Sequence, residues 1–178
     1  KKGIQVLFTS TSEVFGKNPT TPWREDADRV LGSTSTERWC YSTSKALCEH
    51  MIFALVKSQG LRCSIVRLFN VYGPKQSPHF VVSQGVHRVL QNSPPLLYDS
   101  GEQTRCFTYV DDAVDGIYLA ANAADAIGHA FNIGSDVSSS VREVSQIIIE
   151  EADKSGQIEP TQIDTSQHFG DRYEDIYP

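Results

Sequence analysis

The chain has 178 residues, 39% of them hydrophobic, which is long and apolar enough for a buried core. Its formal charge of −6 and lack of any basic run argue against nucleic acid as a partner, and no apolar stretch approaches the roughly 18 residues of a membrane span. Cys40, Cys48, Cys63 and Cys106 are scattered, with no Cys-x-x-Cys pair and no His at ligand spacing, so they read as free core thiols in a reducing cytoplasm, with no zinc site or disulfide framework.

In chain order, Lys1-Lys2-Gly3 leads into a strand and not a signal peptide. Residues 4–9 are a short apolar run of the kind buried in a parallel sheet. Residues 10–16, STSEVFG, form its C-terminal edge, where doubly wound sheets place their chemistry. Residues 17–36 are rich in Pro, Thr, Ser and Asp and read as a long loop, a length that usually serves function. Residues 39–58 are a helix whose Ala46, Leu47, Ile52, Phe53 and Val56 offer more apolar surface than one face needs, and Gly60 stops it. Then come a strand at 63–68, an outgoing loop at 69–74 and a helix at 80–91 broken by Pro94-Pro95. A brief strand at 96–98 and a longer one at 105–110 follow. Asp111 starts a helix that runs to Ala121, and residues 130–133 are a strand. Ser140 caps a last helix over 141–154, with Glu143 at the capping-box position. This alternation predicts an α/β fold with a largely parallel sheet and no internal repeat.

Tyr41 and Lys45 stand out within WCYSTSKALCEH. Four residues apart on a helix, they share a face one turn apart. An ammonium there favours the phenolate, which makes Tyr41 a usable general base. Tyr and Lys at this spacing also occur in helices without any function. The hydroxyl cluster TSTSEVFG, about thirty residues upstream at the end of a strand-like run, adds weight to the functional reading. Among the histidines, His50 and His87 lie on helices and read as structural.

STSEVFG, YSTSK, RLFNVYGP and TRCFTYVDDAVDGI, in that order and spacing, resemble the nucleotide-sugar epimerase/dehydratase branch of the extended short-chain dehydrogenases. Within it, a T-S-E triplet before V-[YF]-G is similar to the UDP-glucuronate decarboxylases. The resemblance implies NAD as cofactor and a UDP-sugar as substrate. It also implies the C-terminal part of a Rossmann-type doubly wound parallel sheet plus a small α/β substrate-binding lobe. Residues 1–72 would be the second half of the dinucleotide-binding domain with the catalytic helix, and residues 73–178 mainly the substrate-binding lobe with returning sheet elements. The G-x-x-G-x-x-G turn of the family is not in this sequence. The chain would open at the fourth strand of that fold and stop at Tyr177-Pro178 before a final helical segment. The expectation is a fragment, or a chain whose first half a separate polypeptide supplies.

By the same resemblance, Thr11 would hydrogen-bond the sugar C4 oxygen and share its proton with Tyr41, and Lys45 would also bond the nicotinamide ribose. Ser12 and Glu13 match the decarboxylases better than the 4,6-dehydratases, which carry Asp then Glu, or the plain 4-epimerases, which more often have an uncharged residue in place of the Glu. Asn70 resembles a substrate-diphosphate contact, and its other reading is a turn former before Val-Tyr-Gly-Pro. Arg105 would meet a diphosphate or a sugar carboxylate, since a guanidinium suits both; a salt bridge to Asp111 or Asp112 is its other reading. Tyr98 is a candidate to pack on the uracil ring. The 39–58 helix would form a homodimer. Decarboxylation is preferred, with 4-epimerisation next. A rival of another class is a non-catalytic nucleotide-sugar-binding or dimerising chain.

Overall fold

A computed structural model describes residues 3–166. The readings of Lys1-Lys2 and of Tyr177-Pro178 lie outside the described residues. The elements in order are β1 (Val6–Thr11), a 3-10 turn (Ser12–Phe15), α1 (Trp39–Gln59), β2 (Cys63–Leu68), β3 (Val71–Tyr72) and α2 (Val81–Leu90). Then come β4 (Leu96–Tyr98), β5 (Thr104–Cys106), β6 (Thr108–Tyr109), α3 (Val110–Asn122), β7 (Ala130–Ile133), β8 (Ser138–Ser140), α4 (Val141–Glu151) and β9 (Thr161–Ile163). They form two compact units, 3–69 with 111–134, and 70–110 with 135–166 among the described residues.

The first unit is built on a parallel sheet of order β1-β2-β7. Central β2 is buried from Cys63 to Arg67, as expected of a strand covered on both faces. Residue parity shows the cover. Arg67 bonds Glu49 of α1, whereas the Ser64 hydroxyl donates to the Ala120 carbonyl of α3 at 2.9 Å. Odd and even residues of a strand point to opposite faces, so the helices flank the sheet as in a doubly wound fold. Burial also pushes the Cys63 thiol up from its usual pKa.

Trp39, Ser42, Ala46 and Glu49 are the buried residues of α1, spaced three or four apart and so on one stripe. Ala46 joins Val14 and Phe15 in a core sealed by Trp23, Ala27 and Phe69. Gly60 ends the helix in the left-handed conformation, φ 65°, its N–H meeting the Leu55 and Val56 carbonyls. The loop at 17–36 holds no strand or helix and enters through Gly16, φ 60° and ψ −120°. A Cβ there would lie 2.3 Å from the Val30 carbonyl oxygen, so the turn requires glycine.

The second unit has three two-stranded sheets: β3-β6 and β4-β9 parallel, β5-β8 antiparallel. Helices α2 and α4 pack through Val89 and Ile149, joined by Ile158 from the segment after α4, with Ile148 and Ala152 alongside. The capping box is present: the Glu143 N–H donates to Ser140 Oγ at 3.0 Å, and the Ser140 N–H donates to Glu143 Oε2 at 2.7 Å.

Several expectations need correction. The first strand runs two residues later than expected, to Thr11, because its pairing with β2 extends to Thr11↔Leu68. The single strand at 105–110 is two strands split at Phe107, since β5 pairs antiparallel with β8 and β6 pairs parallel with β3. The loop at 69–74 contains β3, the partner of β6. Helix α4 stops at Glu151, ahead of the positive φ of Asp153.

Candidate functional site

In the first unit, Thr11 closes β1 and caps the 3-10 turn. It is buried, and its Oγ1 accepts from the Glu13 N–H at 3.2 Å. The turn follows because Thr11 is extended while Ser12 to Phe15 coil at once beneath it, the usual placement of a capping hydroxyl. Ser12 is half-buried in the same turn. Glu13 corrects a reading: its side chain is 42% exposed, and it stands in a turn and not at a buried strand end. Its carboxylate accepts from Arg38 Nη2 at 3.3 Å.

Tyr41 and Lys45 lie on α1. The Lys45 ammonium donates to the Thr9 carbonyl of β1 at 2.9 Å and sits 4.9 Å from the Phe8 ring centroid. It stands 6.0 Å from the Tyr41 ring centroid, and Tyr41 remains 52% exposed. The lysine is therefore held on the strand that ends in Thr11, while the tyrosine stays open to a ligand. An ammonium has three donors, and one bond leaves the others for a ribose or a phenolate. These residues fit the nicotinamide-ribose end of a dinucleotide cofactor. A pyrophosphate would need the glycine turn that this sequence lacks.

Beneath the pair lies a buried charge network. The Ser10 hydroxyl donates to Glu49 Oε1 at 2.5 Å, and Arg67 Nη2 and Nε donate to Glu49 Oε2 and Oε1 at 2.6 and 3.0 Å. Arg67 Nη1 reaches the Glu25 carbonyl at 2.9 Å, and the guanidinium lies 5.0 Å from the Phe15 ring centroid. Arg67 is thus structural, as its place inside a strand suggests. Arg29 donates to the Val14 carbonyl at 2.8 Å. Burial lowers its pKa, against the pull of Glu49 and with the push of Arg67. The loop is tied down as well: Asn132 of β7 donates its backbone N–H to Glu25 Oε1 at 3.1 Å and its side chain to the Trp23 carbonyl at 2.9 Å.

Asn70, Tyr98 and Arg105 belong to the second unit. The exposed Asn70 accepts from the Thr108 N–H through its carbonyl at 3.0 Å. Tyr98 is half-buried on β4. Arg105 is exposed on β5, with Nη1 donating to the Thr104 carbonyl at 2.8 Å.

Sequence reasoning missed Arg38, Ser10 and Glu49. The signal for Glu49 was a carboxylate four residues past Lys45, on the face that carries Ala46. For its partner the signal was an arginine inside the apolar run CSIVRL. Nothing in the sequence marks Arg38 as the partner of Glu13. Among the described residues, no cluster of His, Cys, Asp and Glu could hold a metal, and no helix is long and apolar enough to cross a membrane.

A UDP-N-acetyl-alpha-D-glucosaminuronate decarboxylase of Bacillus cytotoxicus is 45% identical over 147 residues, which are 81% of this chain and 45% of that protein. A UDP-N-acetylglucosamine 4-epimerase of Methanobrevibacter ruminantium, solved with UDP-N-acetylmuramic acid, superposes with a TM-score of 0.79 at 29% identity. The match covers 90% of this chain and 50% of that one. A UDP-glucuronic acid 4-epimerase of Bacillus cereus, solved with UDP-glucuronic acid and NAD, gives 0.74 at 28% identity, over 89% of this chain and 51% of that one. The chain spans about half the length of these relatives. Its fold is α/β of the Rossmann type that the motifs predict. Residues 1–134 match the NAD dependent epimerase/dehydratase family, and the chain belongs to that family.

Proposed function

We propose that this chain carries the acid–base half of an NAD-dependent nucleotide-sugar enzyme that oxidises C4 of a UDP-sugar, with decarboxylation of a UDP-uronic acid as its reaction. The observation that carries the reading is the tether of Lys45 to the Thr9 carbonyl, which sets an exposed Tyr41 on the helix beside the strand ending in Thr11. NAD, when bound, supplies the hydride acceptor for C4. Tyr41 takes the C4 hydroxyl proton, Thr11 hydrogen-bonds the same oxygen, and Lys45 favours the phenolate form. The resulting C4 ketone is β to a carboxylate on C5. The bond from C5 to that carboxylate breaks to release carbon dioxide, its electron pair moves into an enolate, and a proton from the site then adds at C5 to leave the 4-keto pentose. Ser12 and Glu13 serve this proton step. Arg105 meets the carboxylate or the diphosphate, Asn70 the diphosphate, and Tyr98 the uracil.

The decarboxylase name of the 45% identical relative favours this reaction. Two 4-epimerases among the structural neighbours favour the second reading, in which the ketone turns over and hydride returns to its other face. The proposed setting is the cytoplasm, which suits four cysteines free of disulfides.

Incubating the full-length protein with NAD and either UDP-glucuronate or its N-acetyl analogue, and following products by NMR, tests the reading. A five-carbon product with one equivalent of carbon dioxide is expected. A 4-epimeric acid without carbon dioxide would establish epimerisation. Inert acids beside an epimerised UDP-glucose would overturn the roles of Glu13 and Arg105.

A further inference from the structure

We propose that Ser10, Glu49 and Arg67 are positioning residues that set the height and rotation of α1 against β1, and so the distance between the Tyr41 and Thr11 hydroxyls. The inference rests on the acid–base reading above.

Glu49 is four residues past Lys45 and eight past Tyr41, so the three side chains leave one stripe of α1. Adjacent turns of the helix are tied to adjacent residues of β1, Lys45 to the Thr9 carbonyl and Glu49 to the Ser10 hydroxyl. Thr11 is the next residue along. A slide or rotation of α1 would stretch both ties at once.

Ser10 and Arg67 are direct lateral partners in the β1-β2 register, so they point to the same face. One carboxylate bridges the pair, each oxygen accepting at least one bond. Arg67 neutralises the carboxylate, and Ser10 fills one of its remaining lone pairs. The added Ser10 bond gains nothing from charge neutralisation, and its geometric effect is to fix where the carboxylate stands relative to the catalytic strand. The bond from Arg67 to the Glu25 carbonyl carries the same constraint into the loop at 17–36. Displacement of a reacting group by about 1 Å can cost on the order of 100-fold in rate, so a device of this kind acts on turnover more than on affinity.

The experiment uses the full-length protein with NAD and its nucleotide sugar. Ser10→Ala removes one hydroxyl and leaves the ion pair in place. It is expected to lower kcat about 5- to 20-fold, with the Kd for the nucleotide sugar, by calorimetry, within about twofold. Ser10→Thr, which keeps the hydroxyl, should restore most of the turnover. Glu49→Gln is expected to cost on the order of 100-fold, and combining it with Ser10→Ala should add little, because both act through one contact. Turnover within about twofold of the parent in Ser10→Ala overturns the proposal, even if Glu49→Gln does not fold. So does a loss that appears in Kd in place of kcat, or a failure of Ser10→Thr to restore. Tyr41→Phe separates the two readings. If it is slow while Ser10→Ala is normal, only the positioning role fails; if Tyr41→Phe itself turns over normally, the acid–base reading fails.

Discussion

Tyr41 is open to solvent although the helix that bears it packs on the sheet, and its neighbour Lys45 is already engaged with a main-chain carbonyl. Such a bond costs the lysine little, since two donors remain, and it prevents the ammonium from swinging away from the phenol. In the full-length protein, Tyr41→Phe should leave nucleotide-sugar affinity nearly unchanged by calorimetry. Turnover should fall by roughly two to four orders of magnitude, as loss of a positioned acid–base group does. Near-normal turnover would remove Tyr41 from the mechanism. Glu49 illustrates a different use of charge. With 6% and 8% side-chain exposure, Glu49 and Arg67 are stable as a pair but costly apart. Removing one member of such a pair typically costs about 3–5 kcal/mol, because it strands a buried charge.

Helix α1 has one buried stripe and one exposed apolar stripe among the described residues. Trp39, Ser42, Ala46 and Glu49 face the sheet, while Leu47, Met51 and Leu55, each four residues apart, are 58%, 57% and 36% exposed. Helix α3 likewise exposes Val114 and Tyr118, again four apart. Exposed apolar rows on two helices are a liability for a lone molecule and a ready surface for a second copy. A homodimer formed through α1 is therefore proposed. Sedimentation of the full-length protein should show a dimer that Leu47→Asp with Met51→Asp converts to monomer without loss of helical circular dichroism. A parent that sediments as a monomer, or a variant that stays dimeric, refutes the interface.

At the scale of the whole molecule, each unit has its own core, Val14-Phe15-Ala46 in one and Val89-Ile149-Ile158 in the other. Neither includes a glycine turn that lets a helix N-terminus approach a pyrophosphate. Residues 1–178 by themselves are therefore expected to bind NAD weakly or not at all, with only the nicotinamide-ribose contacts of Tyr41 and Lys45 to hold it. Micromolar binding by this chain in calorimetry would place a pyrophosphate site within it and refute the expectation.

What the sequence determined by itself is what depends on near neighbours. The strands at Cys63–Leu68, Leu96–Tyr98 and Ala130–Ile133 were legible to the residue, because apolar runs between turn signals need no distant information. So were the Ser140–Glu143 capping box and the Gly60 stop, which are closed within one turn of helix. Tyr41 and Lys45 could be singled out as a pair because helical spacing alone puts them on one face. The tertiary structure decided everything that depends on which distant groups meet. Ser138–Ser140 carries no hydrophobic alternation and is a strand only because β5 lies beside it. Glu13 had no visible partner until the chain brought Arg38 to it, 25 residues away. The bridge among Ser10, Glu49 and Arg67 spans separations of 39 and 18 residues. It exists because sheet register sets Ser10 beside Arg67 and helix packing lowers one carboxylate onto both, a coincidence of two long-range geometries that no local pattern encodes.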